Sequence, residues 1–413
     1  MKKAIPILAS VISLNIFALF LCNFSSEKAV SSNDQIITDV LKLETIFTGE
    51  DTGDFLIAWN TGGFALPNPS GGIFNILNGN YYILDEFKVK IYDPKGKPIT
   101  LLGGKGQGPG EFEDIVTPMI SENGTLAVMN RATANIYSPD HNFIKSINTW
   151  REHKLVSYRN QKGYASGLQP RLVYAIDPDR YIFGFDATKD IENDRDKFYT
   201  EGLWYITADS IHQIVEYIPK EKHSDKVRGG RQIGGKWIYR TYGSKTGEFF
   251  YDFMSGDKVV YTHSGHDAVI NDNDGSFTLH IFDPQTLNTE NITFDYQPLK
   301  PGKITLRSLK NNDVTVSLKK DIFKDRPFLN MQADNEYIYL VKRIEFDKPL
   351  SNGKDYGYRV DVIHIPSKKR IGYVYMPFIP RIISNGYAYY LRKSKGEFPQ
   401  IEKYKIDPSV YGK

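Results

Sequence analysis

Three arginines of the 413-residue chain stand beside a recurring proline: Arg171 after Pro170, Arg326 before Pro327 and Arg381 after Pro380. Guanidinium groups gathered at one place suit a carboxylate, phosphate or sulfate, because their planar forks match those anions. The segment "KVRGGRQIGGKW" adds Lys226, Arg228, Arg231, Lys236 and Trp237. A different chemistry is offered by "THSGHDAVINDNDG", which starts at Thr262. His263, His266 and Asp267 are metal-ligand residue types, although the HxHxDH spacing of metallo-hydrolases is absent. Asp272 and Asp274 have the alternation of a calcium loop, but Ile270 stands where the first ligand belongs and has no side-chain oxygen. The competing reading is a polar loop tip with an Asn-Asp-Gly turn. No cofactor is expected, and Ca²⁺ or another divalent metal enters only through these residues.

A third candidate is "GGKGQGPGEF", Gly103 to Phe112. A phosphate-binding loop needs Gly-Lys followed by Ser or Thr, and here Gly106 follows Lys105. The dinucleotide fingerprint fails at Pro109, and no helix follows to aim its N-terminus at an anion. The glycines therefore serve the backbone, which they let adopt φ > 0 and run close to its neighbours. No Gly-x-Ser-x-Gly elbow is present, and no catalytic residue is assigned.

The elements that must position these residues are read from composition and repeats. The chain is 40% hydrophobic, enough for a large core, and its 27 Tyr and 24 Phe favour strands. A net charge of +3 argues against nucleic acid as a partner. Residues 1–21 read as a secretory signal: basic "MKK", then a mostly apolar run. Cys22 is the only cysteine, so no internal disulfide forms. "LFLC" resembles a bacterial lipoprotein signal, in which the cysteine carries the lipid; Leu21 departs from the usual small residue. The alternative is an uncleaved anchor. Either places the body outside the cytoplasm, on the outer membrane or cell surface. Residues 22–35 are a polar, Ser-rich tether.

From residue 36 to 413 one pattern recurs. A Pro leads into an apolar run, an Asn/Asp/Gly turn and a second apolar run: "PMISENGTLAVM", "PRLVYAIDPDRYIFGF", "PFLNMQADNEYIYLV" and "PRIISNGYAYYLR". "PSGGIFNILNGNYYILD" is a looser copy, and "EFFYDFMSGDKVVYTH" lacks the Pro. In five of these six copies a further strand pair follows, giving units of four antiparallel strands, A to D. Six such units predict an all-β, six-bladed β-propeller. The last unit lacks a strand, and "QIITDVLKLETIF", residues 35 to 47, is expected to supply it and close the ring.

Residues 73–148, with "GKGQGPGEF", Pro118 and the Asn-Gly turn, resemble an NHL-type repeat. The "GPGEF" motif is also similar to one of lipid-anchored bacterial six-bladed propellers. The resemblance implies the fold and leaves the activity open.

Antiparallel connectivity puts all D-to-A links and B-to-C loops on one face and the A-to-B and C-to-D turns on the other. The long connections, roughly 149–169, 219–247, 295–326, 188–201, 264–276 and 344–355, all belong to the first face. That face is expected to bind, with Arg171, Arg326 and Arg381 around the channel mouth and Arg228, Arg231 and Trp237 above it. The expected ligand is an anionic glycan, a peptide or an envelope protein, and the body is expected to be monomeric. The competing reading pairs the arginines with Asp85, Asp186 or Glu248. Three classes follow: a membrane-tethered binding or scaffold protein, a channel-site hydrolase or lyase, and a component of an envelope complex.

Overall fold

A computed structural model describes residues 40–47, 74–85, 87–112, 117–130, 133–149, 151–164, 169–190, 197–218, 231–233, 236–238, 248–270, 275–296, 302–307, 313–318, 328–349, 356–392 and 400–411. They form a six-bladed β-propeller of four-stranded antiparallel blades. Blade 1 is Phe74–Leu77, Asn80–Asp85, Lys88–Tyr92 and Pro98–Gly103. Blade 2 is Thr117–Ile120, Leu126–Asn130, Thr133–Tyr137 and Phe143–Asn148. Blade 3 is Gln169–Asp177, Arg180–Asp190, Lys197–Ile206 and Ile211–Tyr217. Blade 4 is Phe249–Met254, Lys258–His263, Gly275–Asp283 and Asn288–Tyr296, with Ala268–Ile270 also paired to its third strand. Blade 5 is Asn330–Asp334, Tyr337–Glu345, Tyr356–His364 and Lys369–Met376.

Blade 6 takes Ile382–Ser384, Tyr387–Arg392 and Gln400–Ile406 from the end of the chain and Leu41–Phe47 from its start. Leu41 pairs with Ile406 and Phe47 with Ile401, so the expected closing strand is in place. Phe47 then stacks on Tyr81 of blade 1 at 4.9 Å, which fastens the seam from the other side.

The local reasons are those of short strands and tight turns. In the A-to-B turns, Asn78–Gly79 (φ 50° and 79°) and Asn385–Gly386 (φ 53° and 75°) take two successive positive φ values, the twist a two-residue hairpin needs. Each of the six junctions between neighbouring blades has its own buried apolar cluster. The alternate side chains of every blade therefore point at its two neighbours, and the core is a ring of wedges.

The turn face is stapled by polar side chains reaching the next blade. Asn123 Nδ2 donates to the Ile176 carbonyl at 2.8 Å. Asp252 Oδ2 accepts the Ala333 N–H at 2.8 Å. The Asp334 carboxylate accepts the Asn385 and Gly386 N–H groups at 2.8 and 3.1 Å. The opposite face carries elements that strand periodicity did not announce. They are the helix α1 (His153–Gln161) and the hairpins Arg231–Ile233/Lys236–Ile238 and Gly302–Arg307/Asp313–Leu318. All lie in the long D-to-A links. Among the described residues no helix is long and apolar enough to cross a membrane.

Candidate functional site

The glycine-rich junction is closed by its own residues. Glu111 Oε2 accepts the Gly108 N–H at 2.8 Å, and the Phe112 N–H donates to the Gly104 carbonyl at 2.8 Å. A carboxylate of the chain thus occupies the cradle where a phosphate oxygen would sit. Phe112 is fully buried in the cluster between blades 1 and 2. The loop is a blade junction, as its sequence pattern implied.

The chemistry-bearing residues meet instead in the wedge between blades 3 and 4, on the face of the long connections. Register puts them there. Asp186 pairs with Glu201, and Glu201 with Tyr217, so the three side chains share the blade 3 surface that faces blade 4. From blade 4, Phe249 pairs with His263, and Tyr261 with His280. The apolar floor of the wedge includes Val173, Leu203, Tyr217 and Tyr261.

His263 is 3% exposed, and its Nδ1 accepts the N–H groups of Gly265 and His266 at 3.0 and 3.2 Å. Its Nε2 lies 3.2 Å from Glu201 Oε1 and is therefore the proton-bearing nitrogen. Asp267 Oδ2 accepts the Tyr217 hydroxyl and the His263 N–H, while Oδ1 lies 3.2 Å from His280 Nε2. His280 Nδ1 meets Asn291 Oδ1 at 2.8 Å. Burial alone would lower the His280 pKa, but Asp267 and Asn291 more than offset it and the pKa rises. Burial would likewise raise Asp267, yet hydrogen bonds from His280, Tyr217 and the His263 N–H hold it below the usual carboxylate range. The Tyr217 hydroxyl is pushed far up by burial and by Asp267, so it stays a donor. The cluster offers hydrogen bonds of fixed direction. The electron pairs a metal would need on His263 Nδ1 and Asp267 Oδ2 accept hydrogen bonds, and no group of three or more His, Cys, Asp or Glu among the described residues is arranged to hold an ion.

Of the predicted residues, the structure joins His263, His266 and Asp267 in this network, with the His263 and His266 rings 4.4 Å apart. Arg171 comes to its edge. It is 47% exposed and pairs with Asp186 at 3.1 Å, the carboxylate partner considered above. Asp85 pairs with the fully buried Lys90 at 3.0 Å. Arg381 is exposed at the start of blade 6, where its N–H donates to the Tyr389 carbonyl at 2.8 Å. Arg231 and Trp237 fall on the small hairpin of the blade 3-to-4 link, opposite Ile238 and Gln232 respectively. Cys22, Arg228, Arg326, Asp272 and Asp274 lie outside the described residues. Glu201, Tyr217 and His280 were not singled out from sequence, because only the pairing of four strands brings them to His263. The alternation in "FTLHIFD" does put His280 on the same side as the apolar Ile and Leu positions' neighbours, but nothing marks its partner.

No protein-family model matches the chain, and no curated protein matches it significantly. Among solved structures it is similar to the CNH domain of AfRom2, at 11% identity and a TM-score of 0.29, over 82% of this chain and 94% of that one. It is similar to the WD40 domain of Neurospora crassa Pan2 at 10% identity and a TM-score of 0.27, over 70% and 73%. A third likeness is to PorZ, a surface component of the type-IX secretion system of Porphyromonas gingivalis, at 8% identity and a TM-score of 0.25, over 78% and 42%. Likenesses this remote carry no argument about function; the fold rests on the strand pairing itself.

Proposed function

We propose that the protein is a binding module tethered outside the cytoplasm through a lipid on Cys22, and that it takes an anionic ligand on the face of the D-to-A links and B-to-C loops. One observation carries this reading: the polar side chains of the two faces are used differently. On the turn face, Asn123, Asp252 and Asp334 are spent on backbone groups of the next blade. On the other face, side chains that can meet a ligand stand part-exposed, among them Arg171, Glu201, His266 and Arg381. Such a division suits a rigid scaffold that displays one recognition surface. The NHL-like character of residues 73–148 belongs to the same proposal, supported by the junction in which Phe112 seals blades 1 and 2.

The test is an array of acidic and neutral glycans and peptides probed with wild-type protein and with an Arg171→Ala/Arg381→Ala double variant. Acidic probes are expected to bind the wild type and to lose most of their signal with the variant. Equal signals from both proteins, or binding to no probe, would overturn the reading.

A further inference from the structure

The outer rim of the ring divides into two arcs of opposite charge. The arc of blades 5, 6 and 1 is continuous by contact. At Gly372, on the outer strand of blade 5, a Cβ would lie 2.8 Å from the Val410 carbonyl oxygen. Val410 belongs to the short helical turn Pro408–Tyr411 that follows blade 6. The strand Leu41–Phe47 carries the arc onward. At Gly96, in the C-to-D turn of blade 1, a Cβ would lie 2.9 Å from the Phe47 ring. Along this arc Lys369, Lys405, Lys42, Lys95 and Lys97 are exposed. Lys368 and Arg370 join them, each with a carboxylate nearby: Glu290 at 2.8 Å and Asp361 at 3.6 Å. The carboxylates of the arc are engaged locally. Asp93 Oδ1 accepts the N–H groups of Lys95 and Lys97, both at 2.8 Å. Asp407 accepts that of Ser409 at 2.8 Å, and Glu44 meets Lys403 at 3.1 Å.

The arc of blades 2, 3 and 4 reverses the sign. Its C-to-D turns, 138–142, 207–210 and 284–287, hold no Lys or Arg. Its outer strands, Phe143–Asn148, Ile211–Tyr217 and Asn288–Tyr296, hold only Lys145, which meets Asp179 at 2.8 Å. Asp140, Asp209, Glu290 and Asp295 stand exposed there.

Two further observations indicate what the basic arc faces. Lys42 and Lys405 are direct cross-strand partners, and both are exposed. Like charges so opposed destabilise a strand pair, and an anionic surface laid against them relieves the repulsion. The chain also reaches the body in the middle of this arc, where the Val40 carbonyl accepts the Asp407 N–H at 2.8 Å. Val40 is 18 residues past Cys22, a reach of at most roughly 60 Å. Leu43, Ile46 and Ile99 are exposed on the outer strands of blades 6 and 1, among the cations.

We infer that the rim of blades 5, 6 and 1 docks on a membrane surface of anionic lipid headgroups. The inference rests on the proposed tether, and it adds the docking surface and the orientation. An acyl chain beside a cluster of cations gives two membrane signals in place of one. Anionic headgroups attract the lysines, and the apolar side chains between them reach the boundary of the acyl region. The ring then stands on edge. The wedge between blades 3 and 4 lies across the ring and points away from the membrane, open to ligand.

The test uses the mature protein purified with its acyl chains and reconstituted on vesicles of phosphatidylglycerol mixed with phosphatidylethanolamine. Phosphatidylcholine vesicles are the comparison. Lysines are acetylated sparingly, and the rate at each is read by mass spectrometry. Lys42, Lys95, Lys97 and Lys369 are expected to react about tenfold more slowly on the anionic vesicles, and the protection to fade as salt rises. Lys154 and Lys162, exposed on and just after the helix α1, are expected to react alike on both. A Lys42→Glu/Lys95→Glu/Lys97→Glu variant is expected to unfold at the wild-type temperature, since all three side chains are exposed. In it Lys369 is expected to lose its protection. Equal rates on the two vesicle types, equal protection of Lys154 and Lys162, or a protected Lys369 in the variant would overturn the inference. Acyl chains on Cys22 together with equal rates would leave the tether standing and remove the docking. A Cys22 peptide without lipid would remove the tether; the same labelling with vesicles added to the unlipidated chain then decides the docking, and equal rates there overturn it.

Discussion

Gly103→Ala is expected to destabilise the protein by about 3 kcal/mol, combining a left-handed backbone penalty with overpacking. Gly103 sits at φ 80°, and a Cβ there would lie 2.0 Å from the Phe112 ring. That ring is fully buried between blades 1 and 2 and has nowhere to go. Gly104 is the control, since a Cβ added there meets nothing within 4 Å. Gly104→Ala should stay within about 0.5 kcal/mol of wild type. Urea unfolding midpoints at unchanged slope measure both. Equal midpoints for the two variants would mean that the junction does not pack as described.

The second large effect is a loss of stability with rising pH. Asp252, part-buried on the inner strand of blade 4, has its pKa pushed up to about 7 by burial of its carboxylate. The N–H groups of Ala333 and Phe253, accepted at 2.8 and 2.9 Å, only partly offset this, and the nearby Asp334 adds to the rise. In the unfolded chain the pKa returns to roughly 3.9. The folded state therefore holds the proton more tightly. Its advantage is complete at low pH and is lost as pH climbs from roughly 4 to about 7. Asp252 keeps some surface in contact with water, and screening reduces the effect. About 2 kcal/mol is expected to disappear between pH 5 and pH 8 on this account, at 1.36 kcal/mol per unit before that reduction. His280, whose pKa is also raised, acts in the same direction at the upper end of this range. The readout is accordingly the difference between wild type and Asp252→Asn in urea midpoints across this range. Parallel curves would show that Asp252 is not the titrating group.

How much of this was legible in the sequence depends on distance along the chain. Hairpins are local, and turns such as "LNGN" and "SNGY" announce them through residues that tolerate φ > 0. Six copies of a hairpin with its follow-on pair were enough to give the ring. The deficit of one strand was enough to give the closing role of Leu41–Phe47, confirmed by its pairing with Gln400–Ile406. The sites obey a different rule. Arg171 and Asp186 are both visible as charged residues near strand ends, but their pairing needs the register of one hairpin. Glu201 meeting His263 needs the registers of two blades and the order in which blades adjoin. Single-residue slips would turn every one of these side chains to the opposite wedge. The helix α1 and the link hairpins were missed for a further reason: they lie in links where no repeat predicts what comes next.

The ring closure underlies every placement above, because it fixes which blades are neighbours. Lys42 and Lys405 are directly opposed across the seam. A Lys42→Cys/Lys405→Cys variant in a Cys22→Ser background contains no other cysteine. Opposed residues of antiparallel strands lie about 4.5–5.5 Å apart at Cα, within the range a disulfide spans. Mild oxidation of the folded protein is predicted to join the two positions, seen as a single cross-linked peptide by mass spectrometry. Two free thiols in the folded, oxidised protein would contradict the closed ring.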